Sequence, residues 1–234
     1  MEQWDERRYI LSCGMDEHDA NPRIRSMRGP AMIIALGGPS CSGKSTLVRA
    51  LEAHWGPDRV SMLPIETYYR DHSHLPMEES VKCNFDAPDA IDWSLLAAHL
   101  ARIVAGTAIK RPSYDFATHA RTREVVSLES RPILIVEGIF ALWFEGIRSL
   151  ATVGVYVDLS SEDCLRRRIV RDRVERGRSE PQIREQFERF VQPMAERYVF
   201  PTKAFADLVV QGDDPVQQSV RRVVAFLGKR RTSG

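Results

Sequence analysis

Apolar runs and helical periods alternate along the chain, and the alternation predicts strands and helices in turn. Ala31–Leu36 is a continuous apolar run that stops at Gly37-Gly38-Pro39, the pattern of a strand buried on both faces and ended by a tight loop. Lys44–His54 has helical spacing, and Gly56-Pro57 stops it. Val60–Ile65 predicts a second short strand, and the polar, aromatic, Pro-containing stretch Glu66–Ala90 reads as mostly loop. Asp92 is a good cap for a helix over Trp93–Ala105, with Gly106 just past its end. Ile109–Phe116 and Thr122–Leu128 flank a polar gap and predict a β-hairpin. Arg131-Pro132 then introduces another wholly apolar strand, Ile133–Val136, followed at once by Glu137-Gly138.

Val153–Leu159 alternates as a strand does. Ser160 or Ser161 can cap a helix over 162–176, which Gly177 breaks. A further helix is expected over Pro181–Phe200, where Ile183, Phe187, Phe190, Val191, Met194 and Tyr198 recur at helical spacing. Asp207–Gln211 predicts a last strand and Pro215–Leu227 a last helix. Strands alternating with helices imply an α/β fold, a five-stranded parallel sheet with helices on both faces. Ligands on such sheets collect at the carboxyl ends of the strands.

Composition narrows the function classes. The 234 residues carry 33 Lys and Arg against 32 Asp and Glu, which argues against a generally basic nucleic-acid-binding protein. Four cysteines, Cys13, Cys41, Cys83 and Cys164, form no CxxC pair and fit neither a disulfide framework nor a zinc ribbon, so a reducing, cytoplasmic setting is expected. No apolar run approaches the roughly 20 residues a membrane span needs, and the first 28 residues have no apolar signal core. No nucleic-acid or membrane partner is therefore expected.

The chemistry begins where the first strand ends. Gly38-Pro39-Ser40-Cys41-Ser42-Gly43-Lys44-Ser45 fits the G-x-x-x-x-G-K-[ST] pattern between a strand and a helix, with Thr46 following. Small residues let successive N–H groups curl round a phosphate, and the helix N-terminus adds its dipole. Lys44 would place its charge on the outer phosphates of a nucleoside triphosphate, and Ser45 would reach Mg²⁺. Glu137, at the end of an apolar strand, is placed like the metal-side acid of P-loop enzymes.

The remainder, over roughly residues 31–212, resembles the uridine kinase (uridine/cytidine kinase) members of the phosphoribulokinase/uridine kinase group. The resemblance rests on Gly38–Thr46, Tyr68-Tyr-Arg-Asp71, Asn84-Phe-Asp-Ala-Pro-Asp-Ala-Ile-Asp92, Tyr114-Asp-Phe116 with His119 and Arg121, Glu137-Gly-Ile139, Arg168-Ile-Val-Arg171-Asp172, Glu175-Arg-Gly-Arg178, Gln186, and Pro201-Thr-Lys with Ala206-Asp207. It implies a P-loop kinase fold with a β-hairpin insertion at about 109–128 and an Arg-rich lid at about 166–186. The kinase domain would span 30–228, between a poorly ordered extension over 1–29 and a tail over 229–234.

The implied activity is transfer of the γ-phosphoryl group of ATP or GTP, with Mg²⁺, to the 5′-hydroxyl of uridine or cytidine. By the same resemblance Tyr69, Phe85 and Phe116 enclose the nucleoside. Asp86 holds the ribose hydroxyls with Arg168 and Gln186, and Tyr114 and His119 read the pyrimidine edge with Arg178 close by. Arg171 and Arg176 face the phosphates, and a homotetramer is usual. A carboxylate is a matching acceptor for a ribose diol, and a flat apolar slot with a few directed polar groups suits a pyrimidine. Tyr114 and Phe116, two apart on one strand face, serve equally well as hairpin packing.

One residue departs from the family pattern: Glu66 stands where an Asp usually acts as base toward the 5′-hydroxyl. Glu keeps the carboxylate but lengthens its reach by about 1.5 Å, and displacements near 1 Å can cost on the order of 10²-fold in rate. Cys41 is a smaller departure, where the loop often has Gly or Ala. Two other readings remain open: a related P-loop kinase for another small metabolite, and a nucleotide-binding regulator that has lost transfer.

The charge balance also hides an asymmetry. Of the 33 basic residues 28 are Arg, and seven of those lie between Arg166 and Arg178 with only Asp172 and Glu175 against them. Arg168, Arg171, Arg176 and Arg178 are expected to face phosphate and substrate, and Arg166, Arg167 and Arg173 to face solvent. Guanidinium suits the first role because its planar fork binds phosphate oxygens in pairs.

Overall fold

The computed structural model describes residues 29–74, 83–116, 118 and 120–232. Five parallel strands make the central sheet: β1 (Met32–Gly37), β2 (Val60–Pro64), β5 (Ile133–Glu137), β6 (Val153–Asp158) and β7 (Leu208–Gln211), in the order β2-β5-β1-β6-β7. A separate antiparallel hairpin pairs β3 (Ile109–Asp115) with β4 (Ala120–Leu128). The helices are α1 (Lys44–Trp55), α2 (Trp93–Val104), the single turn α3 (Glu145–Arg148), α4 (Ser161–Glu175), α5 (Glu180–Gln186) and α6 (Val216–Thr232).

The unbroken apolar character of β1 and β5 follows from burial on both faces. Ile34, Leu36, Ile135 and Val155 pack against α1 and α6 through Leu47, Val48, Leu51, Val220, Val223 and Leu227. Ile33, Ala35, Leu134 and Val136 belong to the opposite core, with Trp93, Leu96, Leu100 and Ile103 of α2 and Phe140 and Phe144 after β5. Each fully buried aliphatic side chain contributes about 1.5–3 kcal/mol. Asp92 accepts a hydrogen bond from the Leu95 N–H at 3.1 Å as the cap of α2, and Ser160 accepts one from the Asp163 N–H at 3.1 Å as the cap of α4. Losing such a cap costs about 1 kcal/mol.

Several boundaries differ from expectation. β2 ends at Pro64, and Ile65–Tyr68 closes a 3₁₀ turn, so Glu66 stands on the first turn past the strand. β4 starts at Ala120, and the hairpin register shifts between Pro112 and Tyr114, next to a proline with no N–H to donate. The expected helix over Pro181–Phe200 is not one regular helix. After α5 it widens into π turns at Phe187–Val191 and Ala195–Val199 on either side of Gln192–Met194. Pro193 lies between them, and a helix-interior proline disturbs the regular ladder. α6 runs on to Thr232 through most of the expected tail, where the side chain of Arg230 bonds Asp207 and the Thr152 carbonyl. α3 is too short to leave a period in the sequence. The expected extension over 1–29 lies, up to residue 28, outside the described residues, as does His119. No helix among the described residues is long and apolar enough to cross a membrane.

Candidate active site

The carboxyl ends of β1, β2, β5 and β7 open on one cleft. Past β1 the chain turns at Gly38 (φ +134°), where an added Cβ would lie 2.3 Å from the Val157 carbonyl oxygen, so the loop can pass β6 only without a side chain. The Ser42 N–H donates to the Pro39 carbonyl at 3.1 Å, and the Lys44 ammonium donates to the same carbonyl at 2.8 Å. Lys44 is therefore buried yet held by the loop it serves, a tie that a phosphate oxygen can replace. The buried Ser42 hydroxyl has no hydrogen-bond partner among the described residues.

Beside the loop the Ser45 hydroxyl donates to Glu137 Oε1 at 3.1 Å. Burial pushes the Glu137 carboxyl above its ordinary value and the charge of Glu66 adds to the rise, against Lys44 and the Ser45 hydrogen bond. Hydroxyl and carboxylate oxygens suit Mg²⁺, which takes one or two protein oxygens together with substrate phosphates. No group of three or more His, Cys, Asp or Glu that could hold a metal is found among the described residues.

The loop faces a cavity of about 910 Å³, which Ser40, Cys41, Gly43, Lys44, Ser45 and Thr46 line from one side and Arg171 and Arg176 from another. Behind it lies a tight compartment of about 50 Å³, walled by Tyr69, Phe85, Asp86, Arg168, Arg178 and Gln186. Glu66, Tyr114, Phe116, Arg171 and Arg176 border both spaces. Glu66 thus stands at the passage between them.

The inner compartment is an aromatic box with a charged rim. The ring of Tyr69 meets Phe85 at 5.4 Å, Tyr114 at 5.3 Å and Phe116 at 6.3 Å, all edge to face. The Arg176 guanidinium lies 5.2 Å from the centre of Phe116. The buried Tyr114 hydroxyl has no hydrogen-bond partner among the described residues, which a plain packing role does not require. Asp86 has its backbone N–H tied to Asn84 Oδ1 at 3.1 Å. Burial holds the Asp86 carboxyl above its ordinary value against the pull of Arg168, and Glu66 adds to the rise.

Sequence reasoning missed the ties that hold these parts together. Arg167 does not face solvent. Its guanidinium donates to the Ser42 carbonyl at 3.3 Å and the Gly212 carbonyl at 2.9 Å. A Cβ on Gly212 would stand 2.2 Å from the Ser42 oxygen, so the loops after β1 and β7 touch there. Arg166 and Arg173 are exposed as expected. Arg121 spans from the hairpin to the turn that carries Glu66, donating to the carbonyls of Tyr69 at 2.8 Å and Tyr68 at 3.3 Å and pairing with Asp92 at 3.1 Å. Arg49, Asp214, Val216 and Ser219 also line the large cavity. Three consecutive arginines look alike in sequence, and only the packing of α4 sets Arg167 against the two loops while Arg166 stays exposed and Arg168 is buried.

A phosphate loop after the central strand of this sheet, an acid one strand away and an arginine-bearing helix bordering the cleft define a P-loop kinase. The chain belongs to the phosphoribulokinase / uridine kinase family, whose sequence profile matches residues 33–217. It is 39% identical over 194 residues to a uridine kinase of Chloroflexus aurantiacus, covering 83% of this chain and 93% of that protein. It is 40% identical over 184 residues to a uridine kinase of Clostridium perfringens, covering 79% and 88%. The fold is shared with phosphoribulokinase from Rhodobacter spheroides, at a TM-score of 0.59 and 16% identity over 80% of this chain and 71% of that one.

Proposed function

We propose that this enzyme transfers the γ-phosphoryl group of ATP or GTP to the 5′-hydroxyl of uridine or cytidine. The observation that carries the reading is the place of Glu66, between a triphosphate-sized cavity on the phosphate loop and an aromatic compartment that holds Asp86. The names of the relatives support a pyrimidine nucleoside as acceptor.

In this reading the backbone N–H groups from Gly38 to Thr46 and the Lys44 ammonium hold the donor phosphates. Ser45 and Glu137 hold Mg²⁺, which would neutralise phosphate charge when bound. Tyr69, Phe85 and Phe116 clasp the base, Tyr114 supplies its hydroxyl to the base edge with Arg178 and His119, and Asp86 accepts from the ribose diol beside Arg168 and Gln186. Glu66 orients the 5′-hydroxyl and takes its proton. Arg171 and Arg176 stabilise the charge on the group in flight. Phosphoryl transfer is largely positioning plus electrostatics, so this inventory is close to sufficient.

The inner space, about 50 Å³, is far smaller than a nucleoside, so acceptor entry requires the aromatic box and the lid to part. Gly177, at φ +62°, gives the lid a turn that side-chain-bearing residues rarely adopt. Reclosure would exclude water and limit hydrolysis of the donor.

The test is product analysis with ATP or GTP and a panel of nucleosides, ribulose 5-phosphate and pantothenate. UMP or CMP is the expected product. Product from another acceptor alone, or donor binding without transfer, would overturn the reading.

A further inference from the structure

The lid arginines are gathered by one residue with no role so far. Asp172 lies in the last turn of α4 with its side chain 0% exposed. Four guanidiniums surround its carboxylate. Arg171 Nε donates to Oδ1 at 2.8 Å. Arg168 Nε, Arg176 Nη1 and Arg178 Nη1 stand 3.5, 3.6 and 3.7 Å from Oδ2. These three contacts are ionic, and Oδ2 accepts no hydrogen bond among the described residues. The backbone of the same residue sets the turn that follows: its carbonyl accepts the N–H of Arg176 and the N–H of Arg178, each at 3.2 Å. Gln186 Oε1 adds a neutral tie from α5, accepting from Arg168 at 3.2 Å and Arg178 at 2.8 Å.

Burial opposes the charge on Asp172, yet Arg171, Arg168 and Arg176 outweigh it and hold the carboxyl below its ordinary value. The carboxylate is thus charged where no water reaches it, among cations that would otherwise repel one another. The contacts differ in kind as well. Arg171 is held by a directional bond, whereas Arg168, Arg176 and Arg178 share Oδ2 without one, so an incoming phosphate can take Arg176, and an incoming nucleoside Arg168 and Arg178, without breaking a hydrogen bond to Asp172.

We propose that Asp172 is the positioning residue of the lid. Its carboxylate assembles the four arginines before the substrates arrive and yields three of them as the lid closes. This rests on the reading of the site given above. Asp172 touches neither substrate and acts only through the arginines.

Asp172→Asn keeps the size and the carbonyl acceptor and removes the charge. The folded variant, verified by its Tm, is expected to lose about 100-fold in kcat. It should also bind inorganic tripolyphosphate about 5-fold more tightly by calorimetry, because the carboxylate no longer competes for the guanidiniums. A merely structural residue would not tighten anion binding. Asp172→Glu should recover at least a tenth of the wild-type kcat. A kcat for the Asn variant within 3-fold of wild type, unchanged tripolyphosphate affinity, or a Glu variant as poor as the Asn variant would each overturn the proposal. Where the Asn variant does not fold, the Glu variant decides by the same threshold. A wild-type protein that phosphorylates no pyrimidine nucleoside would count against the functional reading, and the tripolyphosphate comparison would still decide the role of Asp172.

Discussion

On the proposed reading, the donor side and the acceptor side of the cleft are built from different parts of the chain. On the donor side, successive residues from Gly38 to Thr46 offer mainly main-chain N–H groups, set by one strand, one tight turn and one helix start. On the acceptor side, side chains come from the turn after β2, the segment before α2, the hairpin and the lid. The donor side keeps Lys44 tied to its own loop, with Arg171 and Arg176 lining the same cavity from the other side. The acceptor side brings Glu66 and Asp86 against Arg168, Arg171 and Arg176. A backbone cradle suits a group common to all nucleotides, whereas a particular acceptor must be recognised by side chains. The first tolerates little change in shape, and the second little change in charge.

The largest test of that contrast falls on the passage between the two sides. Glu66→Gln should lower kcat by about 10²–10³, within the range for loss of a general base, with both KM values within about 3-fold. Stopped assays with saturating donor check it, and full kcat in this variant would remove the base assignment. Glu66→Asp puts back the shorter carboxylate that the family resemblance implies, and a gain in rate would show that the longer side chain is a handicap.

Next is the tie between the donor loops. Arg167→Met leaves the Ser42 and Gly212 carbonyls without their charged donor, a loss of about 1.5–3 kcal/mol for such bonds. The expected result is a KM for the donor raised about 10-fold, with the nucleoside KM nearly unchanged. An equal rise in both would blur the division into two sides.

On the acceptor side, Tyr114→Phe removes a hydroxyl that is buried with no hydrogen-bond partner among the described residues. Its Tm should hold or rise, while the nucleoside KM rises about 5-fold, the worth of about 1 kcal/mol. A fall in Tm with unchanged KM would make Tyr114 a packing residue only.

The smallest effect is a pH dependence at Glu137. Its native pKa is raised above the ordinary 4.5, mainly by burial, so the native state holds the proton more tightly than the unfolded chain. Stability of the unliganded protein therefore falls as pH rises from the ordinary carboxylate range through the raised value. Asp172 has the opposite sign: its native pKa is lowered, so its contribution is lost as pH falls through that lowered value. Glu137→Gln should raise Tm by a few degrees at neutral pH, roughly what about 1 kcal/mol gives, with no gain at acid pH. Thermal melts across pH 4–7 check the crossover.

The donor loop was legible in the sequence because its residues are contiguous and its context is local: an apolar run, small residues, then a helix. The sheet strands were legible for the same reason, since burial on both faces leaves unbroken apolar runs at β1 and β5. The acceptor residues could be named only through a family resemblance, because no local pattern joins Tyr69 to Phe85 or Tyr114. The ties escaped altogether. Arg121 and Arg167 act by reaching carbonyls of remote segments, and a carbonyl has no letter in the sequence. The regular helix expected over Pro181–Phe200 failed because the apolar period gave the buried face but not the register, which widens on both sides of Pro193.

By itself the sequence determined that a parallel α/β domain carries a phosphate loop, that a Glu stands two residues ahead of Tyr68-Tyr69, and that arginine is concentrated from Arg166 on. These are matters of residue type, spacing and period, which a chain displays without folding. Tertiary structure decided that Glu66 stands between two spaces of very different size, that Arg167 joins two loops rather than facing solvent, and that one buried carboxylate gathers four arginines. Those depend on distances between segments far apart in the chain, and charge acts through such distances.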